Sequence, residues 1–87
     1  MSRRCFLCGS QNNIERHHVF GGANRGKSER YGLVVDLCHA HHNEPPLGAH
    51  HNRETDLYLK RLFQQKAMNE QGWTEADFIR AFGRNYL

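Results

Sequence analysis

Two short clusters of metal-binding side chains constrain this chain more than any other feature. Cys5 and Cys8 enclose two residues, and so do Cys38 and His41 much further along. Each pair can present both side chains to one ion from a tight turn, and together they offer the four sulfur and nitrogen ligands that tetrahedral zinc takes. Gly9, directly after the first pair, permits the sharp turn that a two-cysteine grip needs. Four protein ligands leave no open position, so an ion held here is expected to be structural.

A staple of this kind suits the size of the chain. Folding 87 residues buries only roughly 60 to 65% of the surface that the unfolded chain exposes. Just 38% of the residues are hydrophobic, and the large ones gather in the last third. Residues 1–53 are therefore expected to rely on zinc, and residues 54–87 to supply helices, within one domain. Three cysteines are an odd number, which argues against a secreted disulfide framework and for a reducing cytoplasm. No apolar stretch reads as a signal peptide or a membrane span, so no membrane partner is expected.

Local patterns place the elements. Ile14 to Phe20 and Leu33 to Val35 read as two strands of a hairpin, joined by a glycine-rich basic loop, Gly21 to Ser28, with no periodicity. Leu37 to Asn43 reads as the start of a helix that Pro45 and Pro46 cut short. From Glu54, the spacing of Leu59, Leu62, Phe63 and Ala67 predicts a helix to about Gly72. Thr74 and Asp77 form a capping-box pattern ahead of Phe78 and Phe82, which predicts a second helix to Gly83 and so a helical hairpin. Tyr58, Phe63, Trp73, Phe78 and Phe82 are expected to pack rather than to bind a cofactor.

Histidine is in surplus. All seven lie between His17 and His51, and only His41 is needed for the zinc set. His17, His18, His42 and His50 or His51 then provide candidates for a second, open metal site. Adjacent residues of a strand point to opposite faces, but a twist at the strand end can bring both His17 and His18 to one cleft. One of them can bind an ion while the other accepts a proton from water near neutral pH, a division of labour that fits phosphodiester hydrolysis. Imidazole ligands favour zinc, nickel, cobalt or manganese over magnesium, which is admitted as an alternative.

His17, His18 and Val19, a loop, Val34 to Leu37, then Cys38, His39, Ala40, His41, His42 and Asn43 resemble the motif of the HNH endonuclease family, and more loosely the small phage and prophage HNH proteins. The resemblance implies an α+β, ββα-metal fold with a zinc knuckle and a C-terminal helical hairpin. It also implies DNA as substrate, with a 5′-phosphate product. His18 would be the general base, with His17 and His42 as ligands of the catalytic cation. His50 or His51 would be the third ligand, with His50 favoured by its place after Gly48 and Ala49. Tyr31 and Gly32 stand where the family usually has its middle asparagine, so Asn43, Asn24 or a backbone carbonyl would orient the base.

Charge adds a DNA-facing rim. The formal net charge is +3, and Arg16, Arg25, Lys27 and Arg30 cluster in the histidine-rich half, where they are candidates for phosphate contacts. One active site per chain fits a monomer that nicks or a homodimer that cuts both strands. The competing expectation is a non-catalytic zinc finger that binds nucleic acid or protein, which uses Cys5, Cys8, Cys38 and His41 equally well but gives His17, His18 and His42 no task.

Overall fold

The computed structural model describes residues 3–87. Strand β1 (Ile14–His18) pairs antiparallel with strand β2 (Val34–Cys38), setting Ile14 opposite Cys38, His17 opposite Val35 and His18 opposite Val34. Alternation puts Glu15, His17, Val35 and Leu37 on one face and Arg16, His18, Val34 and Asp36 on the other. Val35, Leu37 and His17 are buried, so the first of these faces looks inward. β1 stops at His18, two residues short of the expected Phe20, and β2 runs on to Cys38.

The connection between the strands is not the irregular loop that its glycines suggest. After a 3-10 turn at Gly22–Asn24 comes a short helix, α1 (Arg25–Arg30). It has no apolar stripe to announce it. Polar contacts hold it instead: the buried Ser28 hydroxyl donates to the Phe20 carbonyl at 2.7 Å and accepts from the Phe20 amide at 3.0 Å. The Ser28 carbonyl accepts from the Leu33 amide at 2.7 Å, and the Lys27 amine donates to the Ala81 carbonyl near the C-terminus.

Helix α2 (His39–Asn43) follows β2 directly and is one turn long, as the two prolines require. Residues 44–52 then fold back on it. The Ala49 amide donates to the His41 carbonyl at 2.7 Å and the His50 amide to the His42 carbonyl at 3.2 Å. Gly48 makes this return possible, because a Cβ at that position would stand 2.7 Å from both the backbone nitrogen and the carbonyl oxygen of Glu44.

Helix α3 (Arg53–Gln71) begins at an Asn52 cap, whose side chain accepts from the Thr55 amide at 3.0 Å. It ends at Gly72, which takes the left-handed conformation at φ 68°. Helix α4 (Glu75–Phe82) starts with the reciprocal capping box between Thr74 and Asp77 that the spacing predicts. The two helices pack against each other and cover the sheet.

The core corrects one expectation. Val19, Phe20, Leu33, Val35 and Leu37 from the first half join Leu59, Phe63, Ala67, Phe78 and Phe82 in a single buried cluster. Residues 3–53 therefore do not rest on a metal alone. Phe20 is the hinge of this arrangement, with ring centroids 5.5, 4.9 and 5.5 Å from Phe78, Phe82 and Tyr86. Truncating a ring so placed costs about 3 to 5 kcal/mol. Buried Gln64 fastens the tail to α3, donating to Asn85 Oδ1 at 2.7 Å and accepting from the Tyr86 amide at 2.8 Å. Among the described residues no helix is long and apolar enough to cross a membrane.

Candidate metal centres and the histidine-lined cleft

Cys5 and Cys8 sit on a tight turn in which the Gly9 amide donates to the Cys5 carbonyl at 2.8 Å, and the Phe6 amide donates to the Asp36 carbonyl at 2.8 Å to pin that turn to β2. β2 ends in Cys38, which also opens α2, and α2 presents His41 one turn later. The four side chains converge, with all ligand atoms within 4.8 Å of one another. Two thiolates on a tetrahedral zinc stand about 3.8 Å apart, and a thiolate and an imidazole nitrogen about 3.6 Å apart. Cys8 and Cys38 Sγ are 3.7 Å apart, while His41 Nδ1 lies 3.2 Å from Cys38 Sγ and 3.9 Å from Cys5 Sγ. This geometry is compatible with a structural metal ion such as zinc. Burial pushes the Cys5 thiol up, but backbone hydrogen bonds from Cys38, Cys8 and Leu7 outweigh it and bring it down to about 7, toward the thiolate that a metal requires.

A second convergence lies on the other side of α2. His17 from β1, His42 from α2 and His50 from the returning loop bring one nitrogen each within the same 4.8 Å limit. Their ring centroids are 5.0, 5.1 and 4.7 Å apart. His42 and His50 face each other through Nε2 atoms 3.1 Å apart. Two imidazole nitrogens on one divalent ion at ~2.1 Å are about 3.0 to 3.4 Å apart. His51, the alternative to His50, is exposed and is not part of the cluster.

The fit of an ion to this trio rests on His17. Its ring is 4% exposed, and its Nε2 is buried without any hydrogen-bond partner. An unpaired buried polar atom costs about 1 to 3 kcal/mol, and an ion bound at that nitrogen would offset it. Burial, reinforced by His42 and His50, lowers the His17 pKa to about 4. The ring is thus neutral at physiological pH, as a ligand must be. Burial and the neighbouring His42 also lower His50.

Carboxylates that the sequence did not single out order the other ring nitrogens. Glu15, on the same face of β1 as His17, accepts from His42 Nδ1 at 2.8 Å through one oxygen and from His39 Nδ1 at 2.9 Å through the other. Asn43 donates to it as well, at 3.1 Å. The His42 and His39 contacts hold Glu15 below the usual carboxylate range. Glu29, on α1, lies with Oε1 3.1 Å from His18 Nε2 and Oε2 2.6 Å from Arg16 Nη2.

His18 lies on the face of β1 opposite His17, yet the strand ends there and both rings line one cleft of about 220 Å³. Arg16, Gly21, Gly22, Arg25, His42 and His50 complete the lining. The cleft is thus polar, bordered by two guanidinium groups, and of a size to admit a phosphate group. Of the four basic residues expected around it, Arg16 and Arg25 are there. Lys27 is turned toward the Ala81 carbonyl and Arg30 lies over the Tyr31 ring at 5.4 Å, so neither belongs to the lining. Neither asparagine expected to hold His18 does so: Asn24 donates to the Phe82 carbonyl and Asn43 to Glu15. No protein-family model matches the chain, and no curated protein or solved structure matches it either.

Proposed function

We propose that this chain is a metal-dependent DNA endonuclease of the HNH type. In this reading β1, β2 and α2 form a ββα-metal unit, and Cys5, Cys8, Cys38 and His41 hold a structural zinc. The observation that carries it is the convergence of one nitrogen each from His17, His42 and His50, with His17 buried and its Nε2 unpartnered, beside a further imidazole in the same cleft. A non-catalytic zinc module accounts for the cysteine cluster but gives the convergence of His17, His42 and His50 no task.

A divalent ion held by His17, His42 and His50 would supply positive charge to the phosphate and the departing 3′ oxygen. His18 accepts a proton from the attacking water, which is why it must stay outside the ligand set. Arg16 and Arg25 bind phosphate oxygens at the mouth of the cleft, contacts that fix register on the backbone without reading sequence. The glycines at 21 and 22 leave room for a backbone to approach. Three imidazoles favour zinc, nickel, cobalt or manganese as the catalytic ion. The product then carries a 5′ phosphate.

Replacing His18 by Ala tests this. The variant should keep its metal content and melting temperature yet lose metal-dependent nicking of supercoiled plasmid. Cleavage at the wild-type rate would overturn the assignment of the base.

A further inference from the structure

We infer that Glu29 is a positioning residue for His18, fixing the ring of the proposed base as the tautomer that carries its hydrogen on Nε2 and leaves Nδ1 bare. This inference rests on the nuclease reading and adds a residue to it.

A carboxylate can only accept, so the 3.1 Å contact between Glu29 Oε1 and His18 Nε2 obliges Nε2 to donate. A neutral imidazole has one ring hydrogen, which leaves the lone pair on Nδ1 for proton abstraction. The His18 contact first, and Arg16 nearby, hold Glu29 below the usual carboxylate range, so the acceptor is ionised at neutral pH. The same negative charge stabilises the imidazolium that forms once His18 has taken its proton.

Both ends of the contact are fixed. Arg16 and His18 share one face of β1, two residues apart, so a single carboxylate spans both, with Oε2 held by Arg16 at 2.6 Å. Glu29 follows Ser28, whose hydroxyl is locked to both backbone groups of Phe20. α1 is further tied to α4 through Lys27 to the Ala81 carbonyl and Asn24 to the Phe82 carbonyl. The C-terminal hairpin thereby braces the helix that braces the base. The His18 side chain is only 9% exposed, so solvent offers Nε2 little alternative partner.

The test compares wild type, Glu29→Ala and Glu29→Gln as full-length, metal-loaded protein. Long-range 15N correlation spectra at about pH 8.5, above the ordinary imidazole range, report the His18 tautomer, and hydrolysis of bis(p-nitrophenyl) phosphate reports kcat and KM. Glu29 is exposed, so neither substitution should disturb the core. Wild type should show a single Nε2–H tautomer. Glu29→Ala should lose it, with kcat down about 10- to 100-fold, the scale of an outer-sphere partner. Glu29→Gln, whose amide oxygen still accepts, should recover the tautomer and part of the rate. An active Glu29→Ala variant with the tautomer unchanged would overturn the positioning role alone. A wild type that shows the tautomer but no metal-dependent hydrolysis would overturn the nuclease reading, and the catalytic meaning of the contact with it.

Discussion

Glu15 Oε1 lies 2.8 Å from Nδ1 of His42, so the nitrogen of His42 that faces His17 and His50 is Nε2. His42 sits next to His41 on α2, and the opposite edge of that one turn belongs to the cysteine cluster. A carboxylate on β1 therefore sets the ring orientation at one centre while the neighbouring residue serves the other.

Replacing Glu15 by Ala removes a partner of His42, and the affinity of His17, His42 and His50 for a divalent ion should fall about 10- to 100-fold. Competition titration with a fluorescent chelator checks it, with the ion in the cysteine cluster as internal control. The cysteine cluster should keep its affinity.

Gly48→Ala should act at the same centre by a different route. The added methyl would meet the Glu44 backbone at 2.7 Å, and backbone cannot yield as a side-chain tip does, so residues 48–50 must move and carry His50 with them. The expected cost is about 1 to 3 kcal/mol of stability, as for overpacking, together with weakened binding at the histidine trio. Denaturant melts and a metal titration measure the two effects separately.

The depressed pKa of His17 has a consequence for stability. Its folded value of about 4 lies below the ordinary ~6.5 of the unfolded chain. Above pH 6.5 neither state is protonated there and no stability is lost. As pH falls from 6.5 toward 4 the unfolded state takes up a proton that the folded state refuses, and stability declines. With the trio unloaded, the stability of wild type relative to His17→Gln should fall by about 1 kcal/mol between pH 7.5 and 5.5. Urea melts of both proteins at the two pH values measure this, and a gap that stays constant or widens would show that His17 is not held neutral by burial.

What the sequence disclosed and what it concealed divide along physical lines. Spacing alone exposed Cys5, Cys8, Cys38 and His41, because two-residue gaps are a property of the turn and not of the surrounding fold. The helices over residues 53–71 and 75–82 were legible because they bury apolar stripes and carry caps and terminal glycines. α1 was hidden, since Ser28, Lys27 and Asn24 hold it through polar contacts to distant backbone and no apolar period marks it. Glu15 and Glu29 were hidden for a related reason. An acid on a strand or in a basic stretch reads as solvated surface until the register shows it facing an imidazole. The histidine surplus pointed to a second centre, and His50, favoured over His51 by its place after Gly48 and Ala49, is the one that lies with His17 and His42. The first-half core was underestimated because Val19, Phe20, Leu33, Val35 and Leu37 are few and scattered, and become continuous only against α3 and α4.

The most direct measurement is the metal content of wild type, His17→Ala and Cys38→Ser, each exposed to excess zinc and freed of loosely held ions, by inductively coupled plasma mass spectrometry. Two ions per wild-type chain, one in His17→Ala and loss of the cysteine-bound ion in Cys38→Ser are the expected result. One ion in wild type and one in His17→Ala would contradict it, leaving the histidine trio without a metal and the cleft without its chemistry.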